Sequence, residues 1–258
     1  MCLVFFSYKT TPGYHLVVAA NRDEFLARPT APLGFFDAEQ TILAGRDLQG
    51  GGTWLGITVQ LRFAALTNYR NPLENRTDVP SRGEIITDYL RGNMDPGRYM
   101  QELAQRSRRY NGFNLLLGDK QDLYYHCNMA TGVQKLVPGF YGLSNSLLDV
   151  PWPKVVRGKT MLYPHMVATQ HVDASTLFKL LGDASRPPDD QLPNTGVGLD
   201  WERLLSSICI DGVDYGTRSS AVITVTDSGE STFYEKTRRP ASGTKEPAKI
   251  QQYCLKSP

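Results

Sequence analysis

The first twenty residues constrain the fold of this chain more than any other stretch. Cys2-Leu3-Val4-Phe5-Phe6-Ser7-Tyr8-Lys9 is apolar and aromatic enough for a buried strand. Thr10 to Gly13 supply turn residues, and His15-Leu16-Val17-Val18-Ala19-Ala20 reads as a second strand. A hairpin is therefore predicted with Cys2 at the tip of its first strand. Asn21-Arg22-Asp23-Glu24 follows where the second strand is expected to end. The far end of the chain has a similar pattern. Ala221 to Thr226 and Ser231 to Lys236 predict a hairpin turned by Asp227-Ser228-Gly229, and Ile250 to Leu255 a last strand.

Between these ends the pattern mixes strands with helices. Trp54 to Val59, Arg62 to Thr67, Phe113 to Leu117 and Leu123 to Cys127 read as short strands. Ser81 followed by Glu84 has the form of a capping box, so a helix is expected from about Arg82. Asp95-Pro96 opens another running to about Arg109. Helices are also expected over Lys154 to Ala168, Asp173 to Leu181 and Leu199 to Ile210, with a Pro- and Asp-rich surface loop from Arg186 to Pro193. Strands at both ends with helices between them imply antiparallel sheets covered by helices. No internal repeat or break in composition divides the 258 residues, so one domain is expected over 1–258.

Composition narrows the function classes. Hydrophobic residues make up 41% of the chain, enough for a sizeable core, and the formal net charge is only +2. That argues against a polybasic nucleic-acid binder. The short clusters Arg106, Arg108, Arg109 and Arg238, Arg239 read as a helix face and a strand end. No stretch approaches the ~18 apolar residues of a membrane span, and no basic segment precedes Leu3 to Phe6 as in a signal peptide. Cys2, Cys127, Cys209 and Cys254 have no CxxC spacing, and reduced thiols in a cytoplasmic compartment are expected. His15, His126, His165 and His171 show no metal spacing. Gly50-Gly51-Gly52 lacks the Lys-Ser/Thr of a phosphate loop and reads instead as a rim beside a pocket.

The residue with most chemical potential is Cys2. Removal of the initiator methionine would leave a thiol and a free α-amine on one residue. Their reference pKa values are about 8.5 and about 7.7–8.0, so near neutral pH the amine can take the thiol's proton. A nearby Arg would favour thiolate, and Asn side chains can serve a tetrahedral oxyanion. The alternative is a cysteine that merely packs in the core. The Asn21–Glu24 tetrad likewise has an alternative as an ion-pair cluster ending a strand, and Trp54 could be core or pocket wall.

Several segments carry a resemblance in addition. Met1-Cys2, Asn21-Arg22-Asp23-Glu24-Phe25, Gly51-Gly52-Thr53-Trp54-Leu55-Gly56, Ala65-Leu66-Thr67-Asn68-Tyr69, Tyr110-Asn111-Gly112-Phe113-Asn114, Tyr141-Gly142-Leu143-Ser144-Asn145 and Tyr215-Gly216-Thr217-Arg218 resemble the NRDE family, relatives of the transport-and-Golgi-organisation protein two. The matching segments run in order from residue 1 to about 235. The resemblance implies an α+β, four-layer αββα fold of the N-terminal-nucleophile hydrolases, with bile-salt hydrolases and penicillin V acylases as the nearest enzymes. It implies a catalytic set of Cys2, Arg22, Asp23, Asn68, Asn145 and Arg218, with Glu24, Trp54 and Tyr69 around the substrate. Asp23 would hold the α-amine, Arg22 and Arg218 would bias Cys2 toward thiolate or grip an anionic group, and Asn68 and Asn145 would serve the oxyanion, with Asn145 alternatively orienting the amine. Arg22 and Asp23 are adjacent, whereas the acylases separate them by two residues. Adjacent strand residues face opposite ways, so either the chain turns there or Glu24 replaces Asp23. The implied activity is hydrolysis of a small N-acyl or carboxamide substrate, with no required cofactor. The alternative is a carrier of haem or of lipid or acyl-CoA linked to the secretory pathway. A carrier would hold haem through one His or through the thiolate of Cys2 or Cys127. Neither reading calls for nucleic acid or a membrane anchor.

Overall fold

The computed structural model describes residues 2–238 and 249–256. Two antiparallel sheets lie face to face. One has six strands in the order β10-β1-β2-β11-β12-β13, and the other has seven, β3 to β9, in sequence order. The first sheet uses β1 (Cys2–Thr11), β2 (Tyr14–Phe25), β10 (Gly139–Leu143), β11 (Tyr215–Thr226), β12 (Glu230–Thr237) and β13 (Ile250–Lys256). The second uses β3 (Thr30–Phe35), β4 (Ile42–Asp47), β5 (Leu55–Thr58), β6 (Phe63–Asn68), β7 (Phe113–Gly118), β8 (Leu123–Cys127) and β9 (Val133–Lys135).

The two-residue alternation of each strand builds three apolar layers. Val4, Phe6, Val18, Ala20 and Ile223 point inward from the first sheet onto Leu55, Ile57, Phe63, Ala65 and Leu116 of the second. Leu3, Phe5, Val17 and Ala19 point the other way. They pack beneath α3 (Pro153–Met166) and α4 (Ala174–Leu180) through Val155, Leu162, Met166, Leu177 and Phe178. On the outer face of the second sheet, Ala64, Leu66, Leu115 and Leu117 meet α1 (Gly83–Arg91) and α2 (Pro96–Arg106) through Ile85, Ile86, Tyr89, Met100 and Leu103. The result is the expected αββα sandwich, and α5 (Leu199–Leu204) is a short final helix beside the first sheet.

Several boundaries differ from expectation. β2 does not stop at Ala20 but runs through the whole Asn21–Glu24 tetrad to Phe25. Central pairing sustains it, because β1 flanks it on one side and β11 on the other. The helix expected over Leu199 to Ile210 ends at Leu204. Beyond it the chain is held by tertiary bonds: Cys209 N–H donates to the Asp183 carbonyl, and Ile210 N–H to Thr217 Oγ1. The capping box does not form at α1. Ser81 Oγ accepts from Gly83 N–H, while Glu84 accepts from the hydroxyl of Tyr110 at 2.6 Å.

Candidate active site

The extended β2 settles the geometry of the tetrad. Cys2 pairs directly with Arg22, so the two side chains share a face, the one looking between the sheets. Asn21 and Asp23 look the other way, toward the helices. The Asn21 side chain donates to the carbonyls of Leu181 and Ile208, pinning α4 and the end of the α5 segment to the sheet. The neighbouring register slips by one residue at Arg218: Thr217 faces Asp23 and Ser219 faces Arg22. The bulged Arg218 turns its guanidinium onto the carbonyls of Phe25, Leu26 and Arg28 and holds the chain leaving β2.

Cys2, Arg22, Asp23, Glu24, Trp54 and Asn68 line one cavity of about 440 Å³ at the end of the sandwich. Its opposite wall carries Arg28, Asp47, Gly50, Arg76, Arg82 and Asn111. Trp54 both lines this cavity and packs against the inter-sheet core. Its ring lies against Gly45, where a Cβ atom would sit 2.5 Å from Cη2, and the Arg22 guanidinium stacks on it at 4.1 Å. Gly50 is held at the rim by Asp47, whose Oδ1 accepts the N–H groups of Gln49 and Gly50 and whose carboxylate grips Arg28.

Asn145, Tyr69 and Arg218 do not line this cavity. Asn145 is buried and donates its side-chain amide to the Asn68 carbonyl at 2.9 Å, while its own carbonyl accepts from Arg70 N–H. It braces Asn68 across the two sheets, helped by Thr67 Oγ1 donating to the Ser144 carbonyl. Tyr69 packs against the inter-sheet core.

Behind Cys2, on the helix side of the sheet, lies a group of buried charges that no motif announced. Asp23 is fully buried and accepts from Thr217 Oγ1 at 2.7 Å. Burial raises its pKa, opposed chiefly by the charge of Lys154. Lys154, at the start of α3, is 3% exposed and donates to the Leu205 carbonyl. Desolvation brings its pKa down to about 8, reinforced by the charge of Arg70 and opposed by Asp23. Arg70 pairs with Glu202 at 2.9 Å and covers the Trp152 ring, and its buried Nε and Nη2 have no partner among the described residues. Burial raises the Cys2 thiol pKa. The charges of Asp23 and Glu24 add to this, while Arg22 pulls it down. A thiol so placed needs a base beside it before it can act as a nucleophile.

His15 and His126 sit outside the cavity, bonded to the carbonyls of Asp119 and Gly132. Among the described residues no three His, Cys, Asp or Glu side chains cluster as a metal site, and no helix is long and apolar enough to cross a membrane.

Residues 1–240 match the family described as Transport and Golgi organisation 2. The chain belongs to that family. The Transport and Golgi organization protein 2 homolog of Bos taurus is 34% identical over 277 residues, covering all of both chains, and that of Homo sapiens 35% identical over 256 residues, covering 92% of each. Among solved structures, the Caenorhabditis elegans N-acylethanolamine-hydrolyzing acid amidase ortholog superposes with a TM-score of 0.52 at 11% identity, covering 86% of this chain and 92% of that one. This Transport and Golgi organisation 2 member thus has the architecture of the N-terminal-nucleophile hydrolases. Its Asn-Arg-Asp-Glu signature lies inside a central strand, with Arg22 and Asp23 on opposite faces.

Proposed function

We propose that this protein is a cysteine N-terminal-nucleophile amidohydrolase acting on small N-acylated substrates. One observation carries the reading: Cys2 begins a central strand directly opposite Arg22 and lines the same cavity as Asn68. With Met1 removed, the α-amine of Cys2 takes the thiol proton; Asp23 cannot reach the thiol from behind the strand, but its carboxylate feels the charge of the amino terminus and holds the ammonium that forms. The thiolate attacks the amide carbon and the carbonyl oxygen becomes an oxyanion, to which the Asn68 side chain donates. Collapse breaks the C–N bond, and the leaving amine takes its proton from the α-ammonium. Water then attacks the thioester, releases the carboxylic acid and restores the thiol. The amidase activity named for the nematode structural neighbour is compatible with this reading.

The test is intact-mass analysis of purified protein before and after incubation with N-acyl amides. A free N-terminal Cys2, an acyl adduct mapped to it, and turnover abolished by Cys2→Ala are expected. A free Cys2 with neither adduct nor turnover would overturn the proposal. Saturable ligand binding that survives Cys2→Ala, again without turnover, would point to carriage instead.

A further inference from the structure

Four arginines reach the cavity wall from separate segments: Arg22, Arg28, Arg76 and Arg82. Among the described residues only Arg28 has a carboxylate within ion-pair distance, Asp47, whose oxygens accept from its Nε and Nη2 at 3.0 and 2.7 Å. The other three are held by neutral groups. Arg22 donates to Thr30 Oγ1 and lies on the Trp54 ring. Arg82 donates one bond, to the Gly112 carbonyl at 2.8 Å. Arg76, exposed at the mouth, donates to the carbonyls of Arg108 and Tyr110. A guanidinium carries five N–H donors, so each of these three retains donors for a further partner.

The carboxylates do not balance this set. Asp47 is committed to Arg28. Asp23 touches the cavity wall, but its carboxylate turns to Thr217 behind the strand. Glu24 alone remains against Arg22, Arg76 and Arg82, and its Oε1 accepts from the Phe25 N–H. Arg82 is half-buried, and desolvation pulls its pKa down. The charge of Glu24 offsets only part of that cost, since one carboxylate faces three guanidiniums, and a ligand anion would offset more of it.

We infer that the Cys2 cavity selects acyl amides that carry an oxyanion, carboxylate or phosphate, on their amine side, with Arg82 gripping the anion inside the cavity and Arg76 drawing it in at the mouth. The inference rests on the amidohydrolase reading for the word amide, but anion selection needs only binding. Arg82 is a specificity-determining residue in this scheme and Arg76 a steering one.

The experiment uses full-length Cys2→Ala protein, which separates recognition from chemistry. Binding of N-octanoylglycine, N-octanoylphosphoethanolamine and neutral N-octanoylethanolamine is measured by calorimetry at 50 and 500 mM NaCl. At least one anionic ligand should bind roughly tenfold or more tighter than the neutral one, the size expected of one or two charge-assisted hydrogen bonds. The preference should shrink at high salt and vanish in Arg82→Gln. Arg82→Lys, which keeps the charge but loses the planar fork, should keep only part of the anionic preference. Arg76→Gln, at an exposed position, should reduce the anionic preference, and it tests the scheme independently of how Arg82 variants fold. Equal affinity for all three ligands, or a preference that neither Arg82→Gln nor Arg76→Gln reduces, overturns the inference. Wild-type turnover without charge preference would overturn it and leave the amidohydrolase reading standing. Charge-selective binding without turnover would do the reverse.

Discussion

Lys154 offers a test of the buried charge cluster that does not depend on catalysis. Its ammonium is 3% exposed and titrates near 8 in the fold, against about 10.4 in an unfolded chain. A base whose folded pKa is depressed binds fewer protons folded than unfolded, so stability rises with pH between those two values. Integrating between pH 7 and 9.5 gives a gain of about 2 kcal/mol from this one residue. Lys154→Met removes the charge while keeping most of the packing, and its lost bond to the Leu205 carbonyl costs the same at both pH values. Urea unfolding of both proteins at pH 7 and 9.5 reads the difference directly. Wild type should gain about 2 kcal/mol on the variant as pH rises, whatever their order at pH 7. Parallel profiles would mean that the ammonium keeps its ordinary pKa, and the buried cluster would have to be redrawn.

Two further perturbations probe the same region. Arg70→Met leaves Glu202, 4% exposed, without its cation at 2.9 Å, and should cost about 3–5 kcal/mol in denaturant unfolding at pH 7; a loss below ~1 kcal/mol would show that the pair contributes little. Gly52→Ala places a methyl group against the Gly83 backbone, where the loop meets the start of α1. It should cost about 1–3 kcal/mol and, by pushing Arg82 away, slow thiol labelling of Cys2 or alter its salt dependence; unchanged stability would place that contact wrongly.

The parts of the fold that were legible in the sequence are those where local pattern and tertiary need coincide. β1, β7 and β8 are short runs rich in apolar and aromatic residues and β12 alternates; all are bounded by turn residues and appear within a few residues of expectation. The strands that escaped notice are short or interrupted. Thr30–Phe35 contains Pro32 and Gly34, and Gly139–Phe140-Tyr141-Gly142-Leu143 has two glycines in five residues, so pairing with a neighbour holds them where propensity does not. The tetrad misled in the opposite direction. Four polar residues look like a strand end, yet Asn21 and Asp23 have buried partners and Arg22 and Glu24 face the cavity, which allows β2 to continue.

At the site, Cys2, Arg22 and Trp54 were readable because thiol, cation and aromatic suggest a job together. Lys154 and Arg70 were not. One opens a helix and the other follows a strand, and neither stands in a motif; only the three-dimensional fold brings both beside Asp23. Arg82 reads only as a helix start, since the surplus of guanidinium over carboxylate around it is a property of the assembled wall.

The position of β1 has a practical consequence. Cys2 begins a strand that is zipped to β2 from its first residue and paired on its other edge with β10 from Val4 onward. Any peptide fused upstream would occupy the α-amine of Cys2. An amino-terminal purification tag would turn that amine into an amide, and hydrolysis assays on such material would report silence even from an active enzyme.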